Sequence, residues 1–307
     1  MTLLRYHLGT DMLLACWLLF LSAILYVVVM CYLVWYASNE VDDDFDSTDY
    51  SVLLGSSIVY LVAAWYFLYT SYPEELQQLE QENAHLDITK LSCLSRYFFG
   101  NYYLIATWLI IIATLPVFIY PIWAFNQNLI SATYFSLYMI AIFVIFFGLG
   151  IWVVATMPVS LAQNGGKGST YFFDYVVPYL FCCFDKEIFR PHLAPDFLVG
   201  SWAFAIAGIV SIPSGIYYIY LAPTEWVSYI FFFCCLTFGI GSLIFVYAAY
   251  PSQHLSCDVY KWLFCDPNYD ATSVGGSPAE RTTLLDDSTR NQPAMQSNAQ
   301  HERDKTV

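Results

Sequence analysis

The chain contains the run Glu280-Arg281-Thr282-Thr283-Leu284-Leu285, a carboxylate four residues ahead of paired leucines. This is the acidic dileucine pattern read by clathrin adaptor complexes. An exposed strand offers Leu284 and Leu285 to an apolar pocket, and Glu280 meets a basic patch. The surroundings sharpen the signal. From about residue 271 the chain is rich in Ser, Thr, Asn, Gln and charge, with few bulky apolar residues. Such a segment buries too little surface to fold alone, so 271–307 is expected to be a disordered tail that leaves both leucines accessible. Phosphorylation of Ser277, Thr282 or Thr283 would change the charge beside the motif. The competing reading is an incidental leucine pair in a linker. Tyr260-Lys261-Trp262-Leu263 fits a tyrosine sorting pattern, but it is expected to lie against the membrane. The terminal Lys305-Thr306-Val307 lacks the hydroxyl residue that a PDZ ligand carries at its third-last position.

Other reactive residue types are scattered. Cys182 and Cys183 are adjacent and lie outside the apolar runs, which makes them the first candidates for S-palmitoylation; reduced, unmodified thiols are the alternative. His254 and Cys257 could share a helix face, with Cys265, His85 and Cys93 as further metal-ligand types. No CxxC or HxxH pair supports a closed four-ligand zinc site. Asp42, Asp44 and Asp46 match the first three ligand positions of an EF-hand, but Ser47 stands where its glycine belongs and Leu53 where its last glutamate belongs. That run reads as a solvated acidic loop, with a cation-attracting role as the sharper alternative. There is no nucleophile elbow, HExxH, phosphate loop or pair of aspartates within an apolar run, so no catalysis and no cofactor are expected. The absence of a basic patch excludes a nucleic-acid partner.

The elements that must carry these residues are set by composition. Apolar residues make up 58% of the 307, charged residues 12%, the net charge is −14 and the mean hydropathy is +0.53. A typical soluble domain is roughly 45–50% apolar and about 25% charged. Six uncharged runs each reach the about 20 residues a helix needs to cross a bilayer: Met12–Ser38, Ser51–Tyr72, Asn101–Ala124, Ser131–Met157, Leu198–Ala222 and Trp226–Tyr250. They are continuously apolar, without the alternation of a barrel wall. The predicted fold is all-α: a polytopic membrane protein with six transmembrane helices arranged as three hairpins over residues 1–270, embedded in the lipid bilayer. The first run is too long for a signal-peptide core, so it is expected to remain as a span.

Charge sets the predicted threading. The short connections Asn39–Tyr50, Phe125–Ile130 and Pro223–Glu225 hold no Lys or Arg, and the first carries Glu40, Asp42, Asp43, Asp44, Asp46 and Asp49. Every basic residue falls on the other side, which places both termini in the cytosol. No N-x-[ST] sequon occurs. Cys93, Cys182, Cys183, Cys257 and Cys265 then lie on the reducing side.

Within the fifth run, Ala203, Ala207, Ser211 and Gly215 fall four apart on one face, a stripe that lets helix backbones approach closely. Its partner is read as another helix of the same bundle, with a membrane-protein partner or a homo-oligomer face as the alternative. Pro116, Pro121 and Pro213 predict kinks. The runs ending at Pro73, Pro158 and Pro251 share aromatic-rich ends, and Phe147–Gly150 and Phe238–Gly241 read FGLG and FGIG, a pattern compatible with a degenerate threefold repeat. After Pro73, Leu76, Leu79 and Leu86 have near-helical spacing. Tyr171–Phe189 is aromatic, broken by Pro178, and expected in the interface.

Coupled ion transport needs an ionisable group facing the bundle interior, and Asp11 and Glu225 stand only at helix edges. The resulting expectation is a non-catalytic scaffold or trafficking protein of the endosome or lysosome membrane, with the plasma membrane as the alternative site. A facilitator or channel for an uncharged solute or lipid is the alternative function.

Overall fold

The computed structural model describes residues 7–39, 47–72, 91–126, 132–158 and 196–250, with positions 75, 170, 174, 175 and 258. Its long elements are all helical: α1 Asp11–Asn39, α2 Ser47–Thr70, α3 Tyr102–Asn126, α4 Ala132–Thr156, α5 Asp196–Leu221 and α6 Trp226–Ala249. A π-helical turn, Ser95–Phe99, precedes α3. All six helices are long and apolar enough to cross a membrane. The protein is a multipass membrane protein with six candidate spans. In hydrocarbon each backbone amide must be satisfied within its own segment, which is why uncharged runs of this length form helices.

Two boundaries differ from expectation in an instructive way. The helix expected to begin at Ser51 begins at Ser47, so Asp49 belongs to the first turn of α2 and the acidic connection shortens to 40–46. Ser, Thr and Asp are favoured at helix starts, where acidic groups complement the macrodipole. The fifth helix begins at Asp196 rather than Leu198 for the same reason. The sixth helix begins at Trp226 as expected, and the remaining ends shift by one or two residues. α3 runs through Pro116 and Pro121, and α5 through Pro213, as single helices.

Each helix packs on its neighbours in sequence, and α6 closes on α1. The hairpins α1–α2, α3–α4 and α5–α6 are therefore joined into a ring of six. One end of the ring, here the proximal end, carries Asp11, Thr70, Tyr102, Thr156, Asp196 and Ala249; the other end is distal. The main apolar core occupies the proximal half and takes residues from all six helices, among them Cys16, Phe67, Tyr103, Trp152, Phe204 and Phe245. A distal cluster around Val29, Met30 and Leu53 draws on α1, α2, α3 and α6.

Candidate functional site

The centre of the ring is where a solute path would have to run. Trp152 of α4 fills its proximal half and is 1% exposed. The indole stacks on Phe204 at 4.4 Å and 13°, and on Phe197 at 5.4 Å and 14°. Phe67 and Phe245 close around it at 5.3 Å and 5.5 Å. Its Nε1–H donates to the Phe197 carbonyl at 2.9 Å, so the one polar atom of the indole is satisfied. Gly200 makes this seat available. A Cβ there would stand 2.0 Å from Trp152 Cδ1, so the ring lies directly on the α5 backbone. One helical turn along, a Cβ on Gly148 would meet the Ala203 Cβ at 2.4 Å.

A void of about 20 Å³ remains beside this group, lined by side chains from all six helices, including Leu19, Tyr60, Ile110 and Phe245. A buried water needs roughly 10–15 Å³ by a comparable measure, together with two to four polar partners. The void has room for about one water, and its walls are almost wholly apolar. The described centre of the proximal half is thus a packed aromatic plug.

Polar side chains work between neighbouring helices. Ser22 Oγ donates to the Cys234 carbonyl at 3.2 Å, and Cys234 Sγ returns a bond to the Ser22 carbonyl at 3.3 Å, joining α1 to α6. Cys16 Sγ and Ser71 Oγ pair at 3.1 Å between α1 and the end of α2. Ser56 Oγ bonds to the Ala113 carbonyl across α2 and α3. Asn101 Nδ2 donates to the Thr156 carbonyl at 2.7 Å, and its Oδ1 accepts the Leu104 amide at 2.8 Å, so one side chain starts α3 and holds the end of α4. At the proximal rim, Asp11 Oδ2 accepts the Asp258 amide at 3.1 Å and the Tyr247 hydroxyl donates to Asp258 Oδ2 at 2.8 Å. Residue 258, beyond α6, is thereby tied to both α1 and α6.

The residues singled out from sequence fall unevenly. Ala203, Ala207 and Gly215 are buried within the chain and Ser211 is half-buried. Ala203 lies against Gly148 of α4, whereas a Cβ on Gly215 would stand 2.9 Å from Phe232 Cα of α6. The stripe is therefore shared between the two helices that flank α5. Glu280, Leu284, Leu285, Cys182 and Cys183 lie outside the described residues, as do the expected segments 76–86 and most of 171–189. His85, His254, Cys257 and Cys265 lie outside them too, and Cys93 is exposed. Among the described residues, no three His, Cys, Asp or Glu side chains converge. Sequence reasoning missed Asp196, which is fully buried in the first turn of α5, because a search for uncharged runs stops short of any carboxylate. The signal available was Pro195-Asp196 directly ahead of an apolar stretch, a helix-start pattern. It also missed the pairing of Trp152 with Gly200.

Comparison with family models, with curated proteins and with solved structures found no match.

Proposed function

We propose that this protein is a non-catalytic scaffold or trafficking accessory of the endosome or lysosome membrane, whose tail is read in the cytosol by clathrin adaptor complexes. The observation that carries this reading is the filled centre of the ring. A facilitator needs a polar path or a cavity at mid-membrane depth. Here Trp152, Phe67, Phe204 and Phe245 fill the centre of the proximal half across any such path, and the void beside them, on the side of the middle of the helices, is about 20 Å³ and apolar. A ring packed in this way presents its outer faces to neighbours, and large apolar side chains such as Ile140, Phe143, Ile206 and Ile209 lie exposed there. Addressing falls to Glu280, Leu284 and Leu285, which stand in a polar stretch with few other leucines.

Two measurements test the two parts of the proposal. Leu284→Ala combined with Leu285→Ala is expected to move the protein from endosomes and lysosomes to the cell surface. Unchanged residence discards the sorting role. Proteoliposomes carrying the full chain are expected to take up uncharged solutes no faster than empty vesicles, and a saturable uptake lost on reconstituting heat-denatured protein would replace the scaffold with a facilitator.

A further inference from the structure

At the distal rim, where α1 ends and α6 begins, three aromatic rings gather around Tyr32, whose hydroxyl reaches a carboxylate. Tyr32, Trp35 and Tyr36 lie three and four residues apart on one face of α1. Trp226 opens α6 and meets Tyr32 edge-on at 5.1 Å. Trp35 and Tyr36 stand 5.9 Å and 6.0 Å from Tyr32. The Tyr32 hydroxyl donates to Glu225 Oε2 at 3.1 Å, which ties the carboxylate to the central ring. The outer faces are open, with Trp35 61% exposed and Trp226 51% exposed.

Interfacial enrichment of Trp and Tyr explains rings at this depth, but not a carboxylate hydrogen-bonded to the central one. The surrounding charge is one-sided. The connections at this end contain Glu40, Asp42, Asp43, Asp44, Asp46 and Glu225, and no Lys or Arg. The chain therefore supplies no cation on its own side, and the summed field attracts one from outside. A divalent metal would require six or more oxygen ligands, and among the described residues here only one carboxylate and a phenol meet. Exposed aromatic faces beside a carboxylate instead suit an organic cation with an apolar surface.

We propose that Tyr32, Trp35, Tyr36, Trp226 and Glu225 form a site for a quaternary trimethylammonium group. The methyl groups pack on the faces of Trp35 and Trp226, and the charge is balanced by Glu225. The rim lies at the end of two membrane-spanning helices, the depth of lipid headgroups, so the group arrives either on a choline lipid of that leaflet or as a free choline-type solute.

Native mass spectrometry of the full chain in detergent, with equimolar phosphatidylcholine and phosphatidylethanolamine, tests the shared chemistry. The choline lipid is expected to be retained about threefold to fivefold more, the scale of an exposed cation–π contact. Glu225→Gln and Trp226→Leu should each bring the two lipids to parity. Both are exposed positions, and an unchanged melting temperature establishes that each variant is folded. Should Trp226→Leu not fold, Glu225→Gln decides alone. Equal retention by the unmodified chain, or a preference that survives Glu225→Gln, overturns the proposal. A second arm separates the sources: choline chloride that displaces the lipid at millimolar concentration assigns the site to a free solute, and lipid adducts that persist assign it to the headgroup.

Discussion

The proximal and distal halves of the ring are built from the same helices and the same residue types, yet they pack differently. In the proximal half, glycines admit neighbours to the backbone. Gly200 receives the Trp152 indole, Gly148 receives Ala203, and a Cβ on Gly100 would stand 2.2 Å from Pro158 Cγ. In the distal half Gly215 meets the α6 backbone at Phe232, but Gly55, like Gly150 on the proximal side, has nothing within 4 Å of where its Cβ would be. The distal cluster draws on four helices, whereas the proximal one draws on six. The close α4–α5 approaches described above, Gly148 with Ala203 and Trp152 with Gly200, Phe197 and Phe204, all lie on the proximal side. Lipid tails are as apolar as leucine, so burying hydrocarbon does not drive helices together in a bilayer; close packing and interhelical hydrogen bonds do. What sets the proximal half apart is thus the seating of one large ring, Trp152, on the α5 backbone at Gly200, where side chains of all six helices meet.

The largest expected effect comes from emptying the lock. Trp152→Ala removes the side chain that touches α2, α5 and α6 together, and should cost about 3–5 kcal/mol, as large-to-small changes of buried aromatics do. Trp123→Ala, at a distal position that is 37% exposed, should cost markedly less, about 1 kcal/mol. Thermal unfolding of the two variants in the same detergent compares the halves directly. Equal losses would erase the distinction between them.

Adding one methyl group sharpens the contrast. Gly200→Ala drives a Cβ into the Trp152 ring, where the nearest atoms belong to a rigid, fully packed indole, and should destabilise by about 1–3 kcal/mol. Gly55→Ala places the same methyl in open space within a helix and should be neutral or stabilising by up to about 1 kcal/mol, the difference in helix preference. Opposite signs in the two melting shifts are expected. A tolerated Gly200→Ala would mean that Trp152 is not seated on the α5 backbone.

Much of the architecture was legible in the sequence, and the reason is solvent. A bilayer excludes charge over a fixed thickness, so six uncharged runs announced α1 to α6 to within a few residues, as Ala132–Thr156 against Ser131–Met157 illustrates. Closure of α6 on α1 was not legible. The helices are apolar all round, so no polar stripe marks which face turns inward. Gly200 lies early in the fifth run, but its partner Trp152 lies across a long connection, and no local pattern links them. Glu225 was visible only as a helix-edge residue; the Tyr32 hydroxyl that bonds it comes from α1, far away in sequence. The dileucine residues were read from composition and spacing alone, and lie outside the described part of the chain.

The smallest effect probes the boundary between the halves. Ser22 and Cys234 exchange two bonds, one through each side chain, where α1 meets α6 near the middle of the ring. Ser22→Ala removes the hydroxyl but keeps the Ser22 carbonyl that accepts the Cys234 thiol, so only one of the two bonds is lost. Interhelical hydrogen bonds in membranes contribute about 0.6 kcal/mol on average, with a maximum near 1.7. A loss of that order is expected, well below that of Trp152→Ala. Cys234→Ala should cost a similar amount, and the double variant measures their coupling. Because each side chain bonds to the other residue's backbone, the two losses should be nearly additive. A coupling above about 1 kcal/mol would show instead that the contact between Ser22 Oγ and Cys234 Sγ, 3.5 Å apart, holds the junction.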